Sequence, residues 1–407
     1  MIIWSGAIAL SKVHLSLLAL IVHGLISVNG YTIEFDNFST RVTLIPVAGD
    51  QYLLPGNINV KLTNRIVIKA SAAVTKEQIT NIDPQITGVQ ELYRLKNSSY
   101  YVVSVKDLKG IDSVLHRFEA WPHVVSVQPD LLQLNEKAHW PGDQHRNVNH
   151  TDYIGKLGIN ALWQKTHGEN VKIAIIDDGI DLEHEDLRGV NLVFAYDVDS
   201  GTLNPSPGTI FDHHGTKVAG IMFAQHNDMG IDGIAPNAGV IAIRHPDTWT
   251  SKSILSFYIA KLAGADVINC SWNTKYLLEP LADVIQDLTT GGRGGKGLVM
   301  VFAAGNQGLD LAKSQCEATL PRVIAVGAVD RWGVRLPSSN YGPNVDIFTY
   351  GTSILVPSRG PQKYTLFSGT SASSAIVSGV AALILSQNRA ISLAEVHRGL
   401  DSIFGQR

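Results

Sequence analysis

The chain has 407 residues, of which 17% are charged, and its formal net charge is −3 at pH 7. This near balance gives no indication of a nucleic-acid partner. The low charge content and the many glycines fit a large globular enzyme better than a disordered chain. Only two cysteines occur, Cys270 and Cys316, which excludes a disulfide scaffold, and we expect them to be unpaired.

The N-terminus carries the pattern of a secretory signal. Lys12 precedes the apolar run LSLLALIVHGLISV, and small residues follow at Val28-Asn29-Gly30. An anchor is the alternative, but about 14 apolar residues are short for a span of about 20. We therefore predict a signal peptide over residues 1–30 and secretion outside the cell or into a secretory compartment.

Four sequons are consistent with secretion and a glycoprotein. They lie at Asn37, Asn97, Asn149 and Asn269. Asn269 falls in DVINCSW, which reads as a buried strand, so we expect it to be unmodified.

Residues 57–134 are predicted to form a small α+β unit. Apolar alternation predicts strands in VKLTNRIVIKA, SSYYVVSVKD and HVVSVQPDLLQL. Between them, TKEQITNI and LKGIDSVLHRF have the spacing of amphipathic helices. Residues 31–56 have no clear pattern and are treated as an N-terminal extension.

Residues 135–150 are polar and histidine-rich and are predicted to be an exposed linker. From residue 151 to 407, continuously apolar strands such as VKIAIID, GVIAIR, ADVINCSW, GLVMVFAAG and VIAVGAV alternate with helical segments. Such strands are covered by helices on both faces. The fold class is therefore α/β, with a doubly wound, mostly parallel sheet.

Three chemically suggestive residues lie in this second unit. Asp177 ends the first apolar strand, where ligands bind in open α/β sheets, although Asp-Gly also makes ordinary turns. His214 opens HGTKVAG, and Ser371 lies in FSGTSASSAIVSG, where a glycine-rich turn enters an apolar run. A serine needs a histidine to take its proton, and that histidine needs a carboxylate to orient it. Asn306, just past another strand end, could donate to an oxyanion.

In that order, IIDDG, HGTKVAG, AAGN and GTSAS resemble the motifs of the subtilisin-like (subtilase) serine endopeptidases, from about residue 151 to 400. The resemblance implies a triad of Asp177, His214 and Ser371, with Asn306 in the oxyanion hole. It also implies that residues 57–134 are a propeptide that inhibits the enzyme, with cleavage in the linker. Protein or peptide substrates and a monomer are expected.

The DDG form of the aspartate motif resembles that of kexin- and furin-like proteases, where the second aspartate favours a basic substrate residue. Asp178 holds that position, and Asp212 could add to the same negative field. The segment SWNTKYLLEPL, however, has Lys275 where those enzymes carry an acidic run. We therefore expect a subtilase with some preference for basic residues.

The resemblance also places Ser271, Trp272 and Gly305 along the substrate cleft. Glu317, in AKSQCEATLPRV, falls near the pocket for the residue before the cut. If its side chain points inward the pocket would accept Arg or Lys, but we expect it to point outward.

A structural calcium ion is also implied. Asp186 and Asn227 match side-chain ligands in the family, and the carbonyls of Gln225, Met229 and Ile231 would complete the oxygen shell. A plain polar turn is the alternative.

Two function hypotheses remain distinct at this point. One is an active endopeptidase, made as a zymogen and stabilised by calcium. The other is a catalytically silent protein of the same shape that binds peptides.

Overall fold

The computed structural model describes residues 31–133, 152–360 and 362–405. The predicted signal peptide, the predicted linker and Asn149 lie outside the described residues.

The N-terminal unit, defined as residues 31–133, is a twisted antiparallel sheet with two helices. Its elements are β1 (Ile33–Asn37), β2 (Thr40–Ala48), β3 (Gln51–Leu54), β4 (Ile58–Ser71), α1 (Lys76–Thr80), β5 (Ile86–Arg94), β6 (Ser98–Val105), α2 (Ile111–Glu119) and β7 (Val124–Gln133). The three predicted strands and both predicted helices are present, and a capping box between Thr75 and Gln78 begins α1. Strands β1, β2, β3 and β5 were not predicted, since exposed and polar residues interrupt their alternation.

One sheet joins the predicted extension to the predicted propeptide. Its strand order is β1-β2-β3-β4-β6-β5, and β7 pairs with β4. The boundary drawn at residues 56 and 57 falls in the turn between β3 and β4, which pair antiparallel. Residues 31–133 therefore form one folded unit.

The second unit, from residue 152 onward and here called the catalytic unit, is built on a parallel seven-stranded sheet. Its strands are β8 (Lys172–Asp177), β9 (Asn191–Asp197), β10 (Gly239–Arg244), β12 (Val267–Cys270), β13 (Val299–Ala303), β14 (Ile324–Val329) and β15 (Ile347–Tyr350). The order is β15-β14-β13-β12-β8-β10-β9, and every neighbouring pair is parallel. Three short strands lie outside this sheet: β11 (Thr248–Trp249), β16 (Ile354–Pro357) and β17 (Tyr364–Phe367). The predicted doubly wound fold is confirmed.

Helices cover both faces of this sheet. They are α3 (Asp152–Lys156), α4 (Ile159–Trp163), α5 (His214–Phe223), α6 (Thr250–Leu262), α7 (Glu279–Gly295), α8 (Thr370–Gln387) and α9 (Leu393–Phe404). Apolar residues of α5 and α8 belong to one core cluster, and those of α6 and α7 belong to another. Among the described residues, α8 alone is long and apolar enough to cross a bilayer, but 83% of its apolar window is buried within the fold.

From β8 the chain continues to β9 and β10, which lie on one side of β8, and later to β12, which lies on the other side of β8. This reversal makes the carboxyl ends of β8 and β12 a switch point, where open α/β sheets bind ligands. Asp177 ends β8 there, and Ser271 follows β12.

The N-terminal unit packs on α6 and α7 of the catalytic unit. Tyr93 Oη donates to Asp287 at 2.7 Å, and Tyr100 Oη donates to Asp283 at 2.6 Å. Strand β11 pairs antiparallel with the end of β7, so the sheet of the N-terminal unit gains a strand from the catalytic unit. The two units are thus joined by a continuous ladder as well as by side chains.

Asp130 of β7 caps α6. Its carboxylate is fully buried, accepts the main-chain N–H and the hydroxyl of Ser251 at 2.8 and 2.7 Å, and pairs with Arg65 at 2.8 Å. The N-cap of α6, Trp249, has no capping side chain of its own. The Asp130 carboxylate of the N-terminal unit therefore accepts a hydrogen bond from an N–H group at the start of α6.

Asp130→Ala should lower the free energy of unfolding by about 3 kcal/mol, because Arg65 and the Ser251 N–H lose their buried partner. Urea unfolding of the full-length chain carrying Ser371→Ala measures the effect. Asp36→Ala, at an exposed aspartate of β1, is the matched control and should change stability by less than about 0.5 kcal/mol. Equal midpoints for the two variants would contradict the capping role.

Candidate active site

Asp177 and His214 form a buried pair at the carboxyl end of β8. Nδ1 of His214 lies 2.9 Å from both carboxylate oxygens of Asp177. An ionised carboxylate only accepts hydrogen bonds, so Nδ1 carries the proton and Nε2 is left with its lone pair. Nε2 is buried and has no hydrogen-bond partner among the described residues. His214 is therefore arranged as a base.

Asp178 caps the helix that carries His214. Its two carboxylate oxygens accept the main-chain N–H groups of His214 at 3.2 Å and Gly215 at 2.8 Å. The N-cap of α5, His213, supplies no capping side chain. Gly215 is required here, because a Cβ would lie 2.4 Å from the carbonyl oxygen of Gly179. Both carboxylates of the DDG motif thus accept hydrogen bonds from α5. Asp177 binds the imidazole of His214, and Asp178 binds the first main-chain N–H groups.

Ser371 is the second residue of α8 and lies against Ser271. Its hydroxyl donates to the Ser271 carbonyl at 2.9 Å, and the Ser271 hydroxyl donates to the Ser371 carbonyl at 3.1 Å. Within the described residues no hydrogen bond joins Ser371 Oγ to His214 Nε2. Catalytic hydrogen bonds are often formed only when substrate binds, and turning the Ser371 hydroxyl from Ser271 would free it for the base.

A buried polar network behind Ser371 connects β12 to α8. Asn269 Nδ2 donates to Ser271 Oγ at 2.9 Å, and Ser378 Oγ donates to Asn269 Oδ1 at 2.9 Å. Ser374 Oγ donates to the Ser371 carbonyl at 2.9 Å. From the sequence, Asn269 is expected only to be an unmodified sequon in a buried strand. A polar residue inside an otherwise apolar strand was the signal that could have identified it as a positioning residue.

Asn306 lies directly against the start of α8. Its Oδ1 accepts the N–H of Thr370 at 2.9 Å, which fixes the amide and leaves Nδ2 as the donor. Gly369, with φ of 111°, makes room for it, because a Cβ at this glycine would lie 3.0 Å from Asn306 Oδ1. This position fits the predicted oxyanion donor.

Asn340 holds the loop that carries Asn306, and sequence reasoning missed it. Its Nδ2 donates to the Ala304 carbonyl at 2.8 Å, and its Oδ1 accepts the N–H of Leu309 at 2.9 Å. The Asn340 N–H donates to the carbonyl of Gly305, so that residue is held through its main chain. No local motif marks Asn340, which is 34 residues away from Asn306 in sequence.

Asp212 is engaged with a guanidinium. Arg244 donates to Asp212 at 3.1 Å and to Asp197 at 3.0 Å. Burial raises the pKa of the Asp212 carboxyl, but the hydrogen bonds from Arg244 and Thr209 and the charge of Arg244 together outweigh burial and lower this pKa. The predicted pair of carboxylates for basic substrates is therefore already occupied within the fold, Asp178 by N–H groups and Asp212 by Arg244.

Glu317 points inward, and the expectation that it faces outward was wrong. It is fully buried, and its carboxylate accepts the N–H and the hydroxyl of Thr274, each at 2.8 Å. Burial raises its pKa. The reason is tertiary: Glu317 is placed beneath the segment that follows β12, 43 residues earlier in sequence.

Trp272, predicted to lie along the cleft, has its side chain in the core. Its indole N–H donates to the Ile176 carbonyl at 2.7 Å, and its ring stacks on His245 with centroids 5.3 Å apart. Ser271, the preceding residue, lies against Ser371. Trp272 therefore supports β8 beside Asp177.

The predicted calcium ligands lie together in two loops. The Gln225 N–H donates to the Asp186 carbonyl at 2.8 Å, and the Ile231 N–H donates to Asp186 Oδ2 at 3.1 Å. Asn227 Oδ1 accepts the N–H of Met229 at 3.0 Å. Asp186 Oδ1 is buried and has no hydrogen-bond partner within the described residues.

Both cysteines are buried and free, as predicted. Of the sequon asparagines, Asn37 and Asn269 are buried and hydrogen-bonded, whereas Asn97 is exposed.

Comparison with known proteins agrees with this geometry. The Subtilase family profile matches residues 168–400. A thermophilic serine proteinase of Bacillus sp. (strain AK1) is 32% identical over 314 residues, covering 74% of this chain and 72% of that protein. A calcium-dependent protease of Trichormus variabilis is 28% identical, covering 88% of this chain and 60% of that protein.

Subtilisin NAT of Bacillus subtilis subsp. natto is 35% identical over 259 residues, covering 61% of this chain and 64% of that protein. The chain thus spans less than two thirds of the length of two of these three relatives. The family match begins nine residues before Asp177 and includes His214, Asn306 and Ser371. The chain belongs to the subtilase family of serine-type endopeptidases.

Proposed function

We propose that the protein is a secreted subtilisin-like endopeptidase that is made as a zymogen and cleaves itself. The observation that carries this proposal is the Asp177–His214 pair, with Nε2 unpartnered at the edge of the sheet where Ser371 begins α8. Secretion is supported by the signal pattern of residues 1–30. Peptide bonds of proteins are the proposed substrates.

The chemistry follows from the proton positions. His214 Nε2 takes the proton of Ser371 as Oγ attacks the scissile carbonyl. His214 then passes this proton to the leaving amine, the peptide bond breaks, and the acyl-enzyme remains. Asp177 holds Nδ1–H and stabilises the imidazolium that forms meanwhile. Water then attacks the acyl group with His214 again as base. Asp178 holds the first N–H groups of α5, so that His214 keeps its position in both steps.

The oxyanion requires donors fixed before the reaction. Asn306 Nδ2 is one, because Thr370 N–H holds the other end of the amide. The N–H of Ser371 is the second, since the first four N–H groups of a helix have no acceptor within it. In subtilisin, itself a member of this family, losing the asparagine donor costs about 10²–10³ in kcat.

The zymogen proposal is supported by the contact between the units. The end of β7 pairs with β11, and the predicted cleavage segment follows at residues 135–150. The N-terminal unit would then stay as a bound inhibitor until it dissociates.

The wild-type chain should start between residues 135 and 150 after maturation, and the Ser371→Ala chain should remain uncut. N-terminal sequencing of the two purified proteins measures this. If both proteins were cut at the same bond, another protease would be responsible. If both stayed uncut near Tyr31, the silent peptide-binding protein would be the better description.

We also propose some preference for basic residues near the cleaved bond, with Asp178 as the group that would produce it, although Asp178 and Asp212 both make internal contacts. Asp178→Ser removes the charge but keeps a hydroxyl to accept one N–H of α5. If Asp178 acts on substrate, kcat/KM for peptides with Lys or Arg just before the cleaved residue should fall roughly fivefold relative to neutral peptides, about 1 kcal/mol. An equal fall for all peptides would assign Asp178 to capping alone. Asp178→Asn is the matched variant that keeps the shape.

Calcium binding is proposed for the loops around Asp186. The buried, unpartnered Oδ1 of Asp186 fits a hard cation, which would also take the amide oxygen of Asn227 and the carbonyls of Gln225, Met229 and Ile231. These ligands would be one carboxylate, one amide oxygen and three main-chain carbonyls, all oxygen donors of the kind that calcium takes. Two relatives are named calcium-dependent proteases. The ion would join the two loops and stabilise the fold.

Calcium should raise the thermal midpoint of the Ser371→Ala chain, and Asp186→Asn should abolish the effect. At 100 times Kd the stabilisation is about 2.7 kcal/mol, or roughly 5–10 °C for a domain of this size. Differential scanning calorimetry with calcium and with EDTA measures it. Asp228→Asn, at an exposed aspartate of the same loop, should keep the full response. Equal midpoints with calcium and EDTA in the parent chain would exclude the site.

A further inference from the structure

The segment between β12 and α7 is held from two sides by the N-terminal unit. Gln133 Nε2 donates to the Tyr276 carbonyl at 2.7 Å, and its Oε1 accepts the Tyr276 N–H at 2.9 Å. Asn37 Nδ2 donates to the Leu277 carbonyl at 3.1 Å, and its Oδ1 accepts the Glu279 N–H at 2.8 Å. Each amide side chain thus satisfies a main-chain donor and acceptor, as a neighbouring strand would.

Leu278, in the same segment, is buried in the hydrophobic core of the N-terminal unit. It has no exposed surface and belongs to the cluster formed by residues such as Phe35, Leu62 and Leu131. Tyr276 packs against this cluster as well. A residue of the catalytic unit therefore completes the core of its neighbour.

Asn37 also caps α7. Leu278, the N-cap residue, has no capping side chain, so the first N–H of the helix needs an acceptor from elsewhere. Gln128 Nε2 donates to Asn37 Oδ1 at 3.1 Å and to the Asp36 carbonyl at 2.8 Å, which orients the asparagine. The cap comes from residues 31–56, the N-terminal extension, which has no clear pattern in the sequence.

The turn between β3 and β4 lines a cavity formed with the residues that follow Ser271. Pro55, Gly56 and Ile58 line a cavity of about 570 Å³ together with Asn273 and Thr274. These two residues follow Ser271, whose carbonyl holds the Ser371 hydroxyl. Gln307, next to Asn306, lines the same cavity. Residues 31–56 thus contact the start of α7 through Asn37 and line this cavity through Pro55 and Gly56.

We infer that residues 31–56 are an inhibitory clamp, and that Tyr276–Glu279 with the adjoining cavity is the surface that binds it. The occupant is this chain's own extension. Its departure exposes Leu278 and the unpaired main-chain groups of the segment, which slows release of the N-terminal unit after cleavage. The inference rests on the proposed function, because a clamp on an inhibitor has an effect only in a self-processing protease.

Asn37→Ala in the otherwise wild-type full-length chain tests the clamp. The lag before hydrolysis of a chromogenic peptide should shorten by about 5- to 30-fold, since the two Asn37 hydrogen bonds that join the units are lost. Asn81→Ala, at an exposed asparagine of the same unit, should keep the parent lag. Ser39→Ala removes the sequon while leaving Asn37 and should also keep it, which separates the clamp from any glycan.

A second measurement does not depend on activity. In the uncut Ser371→Ala chain, adding Asn37→Ala or Leu278→Ala should speed amide hydrogen exchange at residues 276–282 by about tenfold, whereas Asn81→Ala should not. Leu278→Ala changes no residue of the N-terminal unit. It therefore tests the contact even if Asn37→Ala disturbs the folding of that unit.

Exchange and lag equal to those of Asn81→Ala would overturn the inference. Faster exchange with an unchanged lag would overturn the inhibitory role. If the wild-type chain neither cuts itself nor hydrolyses peptides, the proposed function fails, while the exchange comparison still decides whether the clamp exists.

Discussion

The catalytic geometry depends on how the first N–H groups of α5 find acceptors at the carboxyl edge of the parallel sheet. Asp177, the last residue of β8, and Asp178, which follows it, both form hydrogen bonds to this helix. Asp178 holds the backbone of His214 and Gly215, while Asp177 holds the imidazole itself. Because the helix start is fixed to the strand end, the direction of the His214 ring is set by the fold before any substrate binds.

The same principle operates at the other helix starts near the site. The Thr370 N–H at the start of α8 is satisfied by Asn306, which fixes the amide that would stabilise an oxyanion. The starts of α6 and α7 are satisfied by Asp130 and Asn37, which belong to the N-terminal unit. Helix capping therefore serves catalysis in the first pair and attachment of the N-terminal unit in the second.

Several polar residues near the cleft are used for internal structure. Asp212 pairs with Arg244, and Glu317 holds Thr274 from below. Such groups keep their charge or polarity only because a buried partner compensates the loss of water. Their charges are therefore compensated within the fold, by Arg244 for Asp212 and by the hydrogen bonds of Thr274 for Glu317.

The sequence by itself determined the doubly wound sheet, and the resemblance of its motifs to the subtilase family identified Asp177, His214, Asn306 and Ser371 as candidates. Continuous apolar strands and short motifs at strand ends are local signals, and a parallel sheet brings strand ends to one edge. The small α+β unit was also predicted in outline, because its main strands and helices have clear periodicity.

Only the tertiary structure decided what the polar side chains between these motifs do. Glu317 was expected outside and is buried, because its partner Thr274 lies 43 residues away. The extension lacked a pattern, since β1–β3 are half exposed and are stabilised by pairing with β4 and by contact with Leu278. Asn37 reads as a sequon in the sequence but is a buried cap in the fold, 242 residues from the helix it satisfies. Contacts over such separations leave no local signal, because each depends on where the rest of the chain has already packed.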